Sequence, residues 1–154
     1  MGRVVSMNKE NLYQLCLNFI EQRIQTAETA LKQAREASND DTKSSAGDKY
    51  ETGRAMMQME IDNNEMQLNK ALQQQLELSK ITLNQNSKKV EPGCVVITNH
   101  ENYFISIAMG KMEIEGQVFY AISMASPVGT LLRNKVAGDQ VDFQNRTIII
   151  QQIV

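Results

Sequence analysis

The chain has no tryptophan, one histidine, two prolines and two cysteines in 154 residues. Each shortage removes a class of function. With His100 alone, a His-based metal site or a Ser-His-Asp triad with a spare base is hard to build. Cys16 and Cys94 lie far apart and neither belongs to a CxxC pair, so the expectation is reduced thiols and a cytoplasmic location. The longest apolar runs, such as Cys94 to Ile97 and Thr147 to Ile150, fall far short of the roughly 20 residues of a membrane span. The first residues carry no long apolar core and no cleavage site, so no secretory leader is expected. Neither charge dominates: 16 Lys and Arg stand against 18 Asp and Glu, net −2. Residues 1–90 carry 12 basic and 12 acidic side chains, and residues 91–154 carry 4 and 6. A protein that grips a phosphate backbone has a clustered basic excess, so direct sequence-specific DNA binding is not expected.

What the chain does have is two halves with different periodicity. From Asn8 to Ser38 there is no Pro or Gly, and Tyr13, Leu17, Ile20, Ile24, Ala27, Leu31 and Ala34 alternate spacings of four and three. That is a coiled-coil seam. The pattern stops at 38–47, a small and polar stretch that reads as a turn. Helix resumes, with Ser45 and Asp48 as a capping pair, and runs to about Gln85. Tyr50, Met57, Ile61, Leu68, Leu72, Leu76, Ile81 and Leu83 supply its looser seam. The two helices predict an antiparallel hairpin, roughly 45 Å long for 30 residues at 1.5 Å each.

After Pro92-Gly93 the period changes. Cys94 to Thr98, Tyr103 to Met109, Gln117 to Ser123, Gln140 to Phe143 and Thr147 to Val154 are short β-branched or aromatic runs, predicting about five strands. Ser126-Pro127 opens a short helix to about Asn134, with Ser at the cap and Pro in the first turn. The expected fold class is α+β: residues 1–90 form the helical hairpin with its tip at about 38–47, and residues 91–154 form a small sheet domain with one short helix.

The segment from Ile122 to Val141 contains Ser126-Pro127-Val128-Gly129, a Leu-rich turn, then Lys135-Val136-Ala137-Gly138-Asp139-Gln140-Val141. It resembles the signature of the bacterial Gre transcript-cleavage factors, in which a strand leads into Ser-Pro-aliphatic-Gly, a short Leu-rich helix and a Lys-Val-Gly-Asp-x-Val turn. Ala137 is an extra residue here. The order of parts along the whole chain matches as well. The resemblance implies a sheet domain similar to the FKBP fold, without isomerase activity, that docks on RNA polymerase through the segment of Ser126, Pro127, Gly129 and Leu132. It implies a hairpin that enters the polymerase secondary channel and acts on backtracked RNA, as a monomeric elongation factor. The family is not an enzyme in its own right. Its tip acids help hold a Mg²⁺ ion in the polymerase active site, and no cofactor or metal belongs stably to the factor. The segment also has a purely structural account: Ser126 and Pro127 start the helix, Gly129 allows close packing, and Gly138-Asp139 turns the chain.

The tip departs from the family pattern Gly-Asp-Leu-Ser-Glu-Asn-Ala-Glu-Tyr, whose first Asp and first Glu do the metal work. With Tyr50 set on that Tyr, Lys43 and Ala46 fall on the two acids. A shift of two residues puts Asp41 on the Asp instead. Asp40, Asp41 and Asp48 are therefore the metal-assisting candidates, and Lys43, Lys49 and Arg54 the candidate tip contacts. Asp48 serves equally as a helix-start acid, favoured by the dipole, and Asp40 and Asp41 as turn residues. Either the tip acids support cleavage, or the tip occupies the channel and retunes it.

The remaining singled-out residues have simpler readings. Met56, Met57, Met59 and Met66 are expected to fill the hairpin seam, although Met-rich faces also serve as adaptable binding surfaces. His100 belongs to a surface turn, and Cys16 and Cys94 to packed interiors. The rival to the polymerase reading is a coiled-coil interaction or structural protein that pairs through Leu17, Ile20 and Ile24. A prolyl isomerase would rest on fold analogy alone.

Overall fold

The computed structural model describes the backbone of residues 2–43, 47–83 and 87–154 and the side chains of residues 9–39, 52–83 and 87–154. Helix α1 spans Gly2–Lys43 and helix α2 spans Gly47–Ser79. Six strands follow, β1 (Val95–Thr98), β2 (Asn102–Ile105), β3 (Gly110–Ile114), β4 (Gln117–Ile122), β5 (Gln140–Phe143) and β6 (Arg146–Ile153), with a short helix α3 (Pro127–Leu132) between β4 and β5. The fold is α+β. Its compact units are Met1–Phe19 with Leu76–Val154, and Ile20–Gln75.

In the Ile20–Gln75 unit the helices run antiparallel. Arg35 pairs with Glu65 at 2.9 Å, and Arg23 donates to the Gln74 side-chain oxygen. Between them Leu31, Ala34 and Ile61 are buried, with Leu68 packed alongside. The seam expected along α1 holds from Ile20 onward: Ala27, Leu31 and Ala34 are buried. Along α2 it needs correction. Leu72 and Leu76 are 42% and 50% exposed, while Ala71 is buried, so the buried face runs through Ile61, Leu68 and Ala71 at near-heptad spacing.

The methionines also depart from expectation. Met57 is half-buried, but Met56, Met59 and Met66 are 66%, 72% and 48% exposed. Of the expected turn at 38–47, residues 38–43 belong to α1 and Gly47 to α2, and 44–46 lie outside the described residues. No Gly or Pro interrupts Ser38 to Lys43, and polar composition alone is a weak helix breaker. Helix α2 ends at Ser79, six residues before Gln85. There the chain turns so that Thr82 passes over Gly93, where a Cβ would meet the Thr82 carbonyl oxygen well inside contact distance.

The sheet order is β3-β4-β2-β1-β6-β5, with β2 and β4 parallel and every other pair antiparallel. Six strands replace the five expected. The run from Tyr103 stops at Ile105, and the added strand is β3, where Lys111, Met112, Glu113 and Ile114 alternate polar and apolar. Two-residue turns with positive φ at both centres, Glu115-Gly116 and Gln144-Asn145, close the β3–β4 and β5–β6 hairpins, as the right-handed strand twist favours. β6 is the longest strand. Its first half pairs with β5 and its second half with β1, with a register shift at Ile97/Thr98. Asn99 bridges that shift, its side chain donating to Thr147 O (3.2 Å) and accepting from Ile149 N–H (2.8 Å).

Both sheet faces are covered. On one, Val96, Tyr103, Ile105, Ile148 and Ile150 pack with Val128 and Leu132 of α3. Strand alternation sends Val95, Phe104, Phe119 and Ala121 to the other face, all essentially inaccessible. The parts of α1 and α2 that belong to this unit close it. Leu12, Cys16 and Leu78 are buried, and Cys16 Sγ lies 3.7 Å from Ser106 Oγ. This explains a second shift along α1. Tyr13 and Leu17, the expected seam, are half-buried, while Leu12 and Cys16 are fully buried because the base of α1 packs on the sheet. Lys9 is buried as well and donates to Leu83 O at 2.8 Å. Cys16 and Cys94 are both free and buried. Burial pushes the Cys16 thiol up to about 11 and the Cys94 thiol upward, so neither is poised as a thiolate nucleophile.

Candidate functional site

Two regions carry the residues singled out from the sequence, and they lie in different units. At the tip, Asp40, Asp41 and Lys43 are in the last turn of α1, and Asp48 and Lys49 in the first turn of α2. Their side chains, and Ser45, lie outside the described residues. Arg54, one turn further along α2, is exposed. Among the described residues no group of three His, Cys, Asp or Glu gathers to hold a metal.

The second region runs from Ser123 to Asp139. Ser126 is the N-cap of α3 and Pro127 its first residue. Gly129 N–H donates to Ser126 Oγ (3.1 Å), and that hydroxyl donates to Ser123 O (2.7 Å). Thr130 Oγ1 donates to Ser126 O at 2.8 Å. Gly129 is required here. A Cβ would run into the carbonyl oxygens of Ser123 and Met124 and the Ser126 hydroxyl at once. Leu132 is completely buried. The segment thus divides in two. Gly129 and Leu132 set its shape from inside, while Pro127, Thr130, Leu131, Arg133, Asn134, Lys135 and Val136 form its surface.

A polar cluster at one end of the sheet was not anticipated. Arg146 makes a bidentate pair with Glu101, both bonds 2.9 Å, and Tyr103 OH donates to the same carboxylate at 3.2 Å. It ties the β1–β2 turn to the β5–β6 turn. The Arg146 hydrogen bonds hold the Glu101 carboxyl below its ordinary value. Burial, then the Glu101 charge, pushes the Tyr103 hydroxyl up to about 12. No linear motif signals this cluster, because its members meet only when β6 pairs with β1. His100 sits in the adjoining turn, exposed, as expected.

The pH dependence of stability follows. Glu101 has a depressed folded value, so its contribution is present above the ordinary value of 4.5 and fades as pH falls through the folded one. Tyr103 has a raised value, so its contribution is present below 10 and fades as pH rises toward 12. Replacing Glu101 by Gln should therefore lower stability most near neutrality. The gap from the parent should shrink as pH falls below 4.5 and through the lowered folded value, measured by urea unfolding across the range. A gap that stays constant with pH rules out this origin.

A cleft of about 260 Å³ lies between Ile81, Pro92, Ser106, Ser123 and Met124, with Glu77 and Lys80 at its edge. No helix among the described residues is long and apolar enough to cross a membrane.

No protein-family model matches the chain, and no curated protein matches it. Among solved structures it is similar to one titled "Structure of the transcription factor Gfh1". Sequence identity is 17%, the overlap covers 88% of this chain and 91% of that one, and the TM-score is 0.34. Likeness at that level says nothing of this chain's partners.

Proposed function

We propose that this protein is a transcription elongation factor that binds RNA polymerase, with its hairpin entering the secondary channel. What carries the reading is the Ser126–Asp139 segment with its Gre-like residues, placed after a long antiparallel hairpin. A carboxylate at the end of a stiff arm is a hard oxygen donor that suits Mg²⁺ in a partner's site, with no pocket needed on the arm. In this reading the chain performs no reaction of its own. It resides in the bacterial cytoplasm, and the sheet unit is the FKBP-like part that docks on the polymerase. Asp40, Asp41 and Asp48 are the acids that can assist the ion, with Lys43, Lys49 and Arg54 contacting the channel or the RNA.

The test is RNA cleavage in a stalled, backtracked elongation complex with Mg²⁺. Shortened 3′ ends that vanish when all three aspartates are replaced by alanine identify a cleavage factor. Absence of cleavage with competition against an authentic Gre factor identifies a channel-occupying regulator. Neither cleavage nor competition overturns the polymerase reading.

A second reading has its own observation. Met56, Met59 and Met66, spaced by three and seven, share one face of α2 and are exposed, which suits an interaction protein that packs its hairpin against another helix. Sedimentation separates the two: an extended monomer fits the polymerase reading, and a stable dimer or tetramer fits the second.

A further inference from the structure

Four cations that are distant in sequence converge on the sheet unit. Lys89 and Val136 form a β-bridge. Val90 N–H donates to Lys135 O at 2.8 Å, and Asn134 N–H donates to Val90 O at 3.1 Å. Paired residues of such a bridge have Cβ atoms about 5 Å apart, so Lys89 lies directly beside Val136, and these hydrogen bonds run the backbone of 88–90 alongside that of 133–136, within reach of the long side chains of Lys88, Arg133 and Lys135. All five side chains are exposed, Val136 at 44%. None of the four cations joins an ion pair among the described residues. The acids on these segments are Glu91 and Asp139, both half-buried, and Asp139 Oδ2 is engaged by Val136 N–H at 2.8 Å.

The backbone beneath the patch is fixed. Lys89 O accepts from Ser87 Oγ (2.9 Å) and from Cys94 Sγ (3.6 Å), and Lys135 N–H donates to Leu132 O (3.0 Å). The charges are thus presented on a rigid base, where less ordering is needed on binding.

We propose that Lys88, Lys89, Arg133 and Lys135, grouped around Val136, are a docking surface for an acidic segment of a partner protein that also offers an apolar side chain to Val136. The charge sign selects an acidic occupant. Two features select protein over nucleic acid. Neither segment, 87–91 or 130–139, contains an aromatic residue on which a base could stack. The chain as a whole is net −2, which repels an extended polyanion beyond the patch. The surface is distinct from the Ser126-Pro127 end of α3, and the inference does not depend on the polymerase reading.

The experiment uses the full chain and a fluorescein-labelled helical peptide of glutamate and leucine, read by anisotropy. Its comparisons are a lysine-for-glutamate version of that peptide and a single-stranded oligouridylate. The acidic peptide should bind and weaken as salt is raised. It should lose about tenfold in affinity when all four cations become glutamine, since each exposed pair contributes modestly. Val136→Ser should weaken it further without altering the salt dependence. All five positions are exposed, so the variants should keep the parental circular dichroism spectrum. The proposal fails if the acidic peptide does not bind, or binds the glutamine variant equally well. It fails if the oligonucleotide binds as tightly and ignores Val136→Ser. It also fails if the chain alone forms a dimer that the glutamine variant breaks, which assigns the patch to a second copy.

Discussion

Replacing Phe104 by alanine is expected to destabilise the sheet unit by about 3–5 kcal/mol. Phe104 is completely buried on β2, between β1 and β4 near the middle of the sheet. Its cross-strand neighbours are Val95 and Ala121. Ala121 has only a methyl group, so it cannot reach into the space a lost ring leaves. The neighbouring backbones are held by strand pairing on both sides, which restricts collapse of the cavity. A loss of this size is a large part of the 5–15 kcal/mol that typical domains have in total. Urea unfolding measures it directly, followed by circular dichroism or by the four tyrosines, since the chain has no tryptophan. Phe104→Leu keeps most of the volume and should lose much less. A loss under about 1 kcal/mol for the alanine variant indicates that this face is loosely packed.

Legibility in the sequence followed the range of the interactions. β5 was readable at its exact bounds because Gln140 to Phe143 alternates and is flanked by turn residues. The start of α3 was readable because Ser126-Pro127 encodes a cap and a first turn locally. The α1 seam was readable only where its partner is α2. At its base, Leu12 and Cys16 are buried by the sheet, and no helical period in α1 announces a sheet. Strand β3 was missed because its two charges mask an alternation that matters only once β4 lies beside it. The cationic patch was hidden for a similar reason. Counting charge on each side of residue 90 separates Lys88 and Lys89 from Arg133 and Lys135, and the Lys89–Val136 bridge reunites them. The hairpin tip is a different case. Its acids and bases were named from the sequence, and what they do depends on the partner they meet.

Leu132→Ala should cost about 2–5 kcal/mol and should act on α3 before it acts on the rest of the sheet. Leu132 is completely buried and, with Val128, joins α3 to the cluster of Val96, Tyr103, Ile105, Ile148 and Ile150. α3 has six residues, too few to be helical without tertiary support. Its amides report the local effect: Thr130 N–H donates to Ser126 O at 2.8 Å and Arg133 N–H to Gly129 O at 3.0 Å. In the alanine variant these two should exchange hydrogen faster by a larger factor than the amides of β1 and β6. Equal acceleration everywhere places Leu132 in the global unfolding unit instead. The same variant separates shape from contact at the surface. Arg133 and Lys135 follow directly on Leu132, so a loosened α3 should weaken acidic-peptide binding even though all four charges remain. The glutamine variant should instead lose binding while the Thr130 and Arg133 amides keep their protection. If the two variants lose binding with the same loss of protection, the patch acts through the fold and not through its charges.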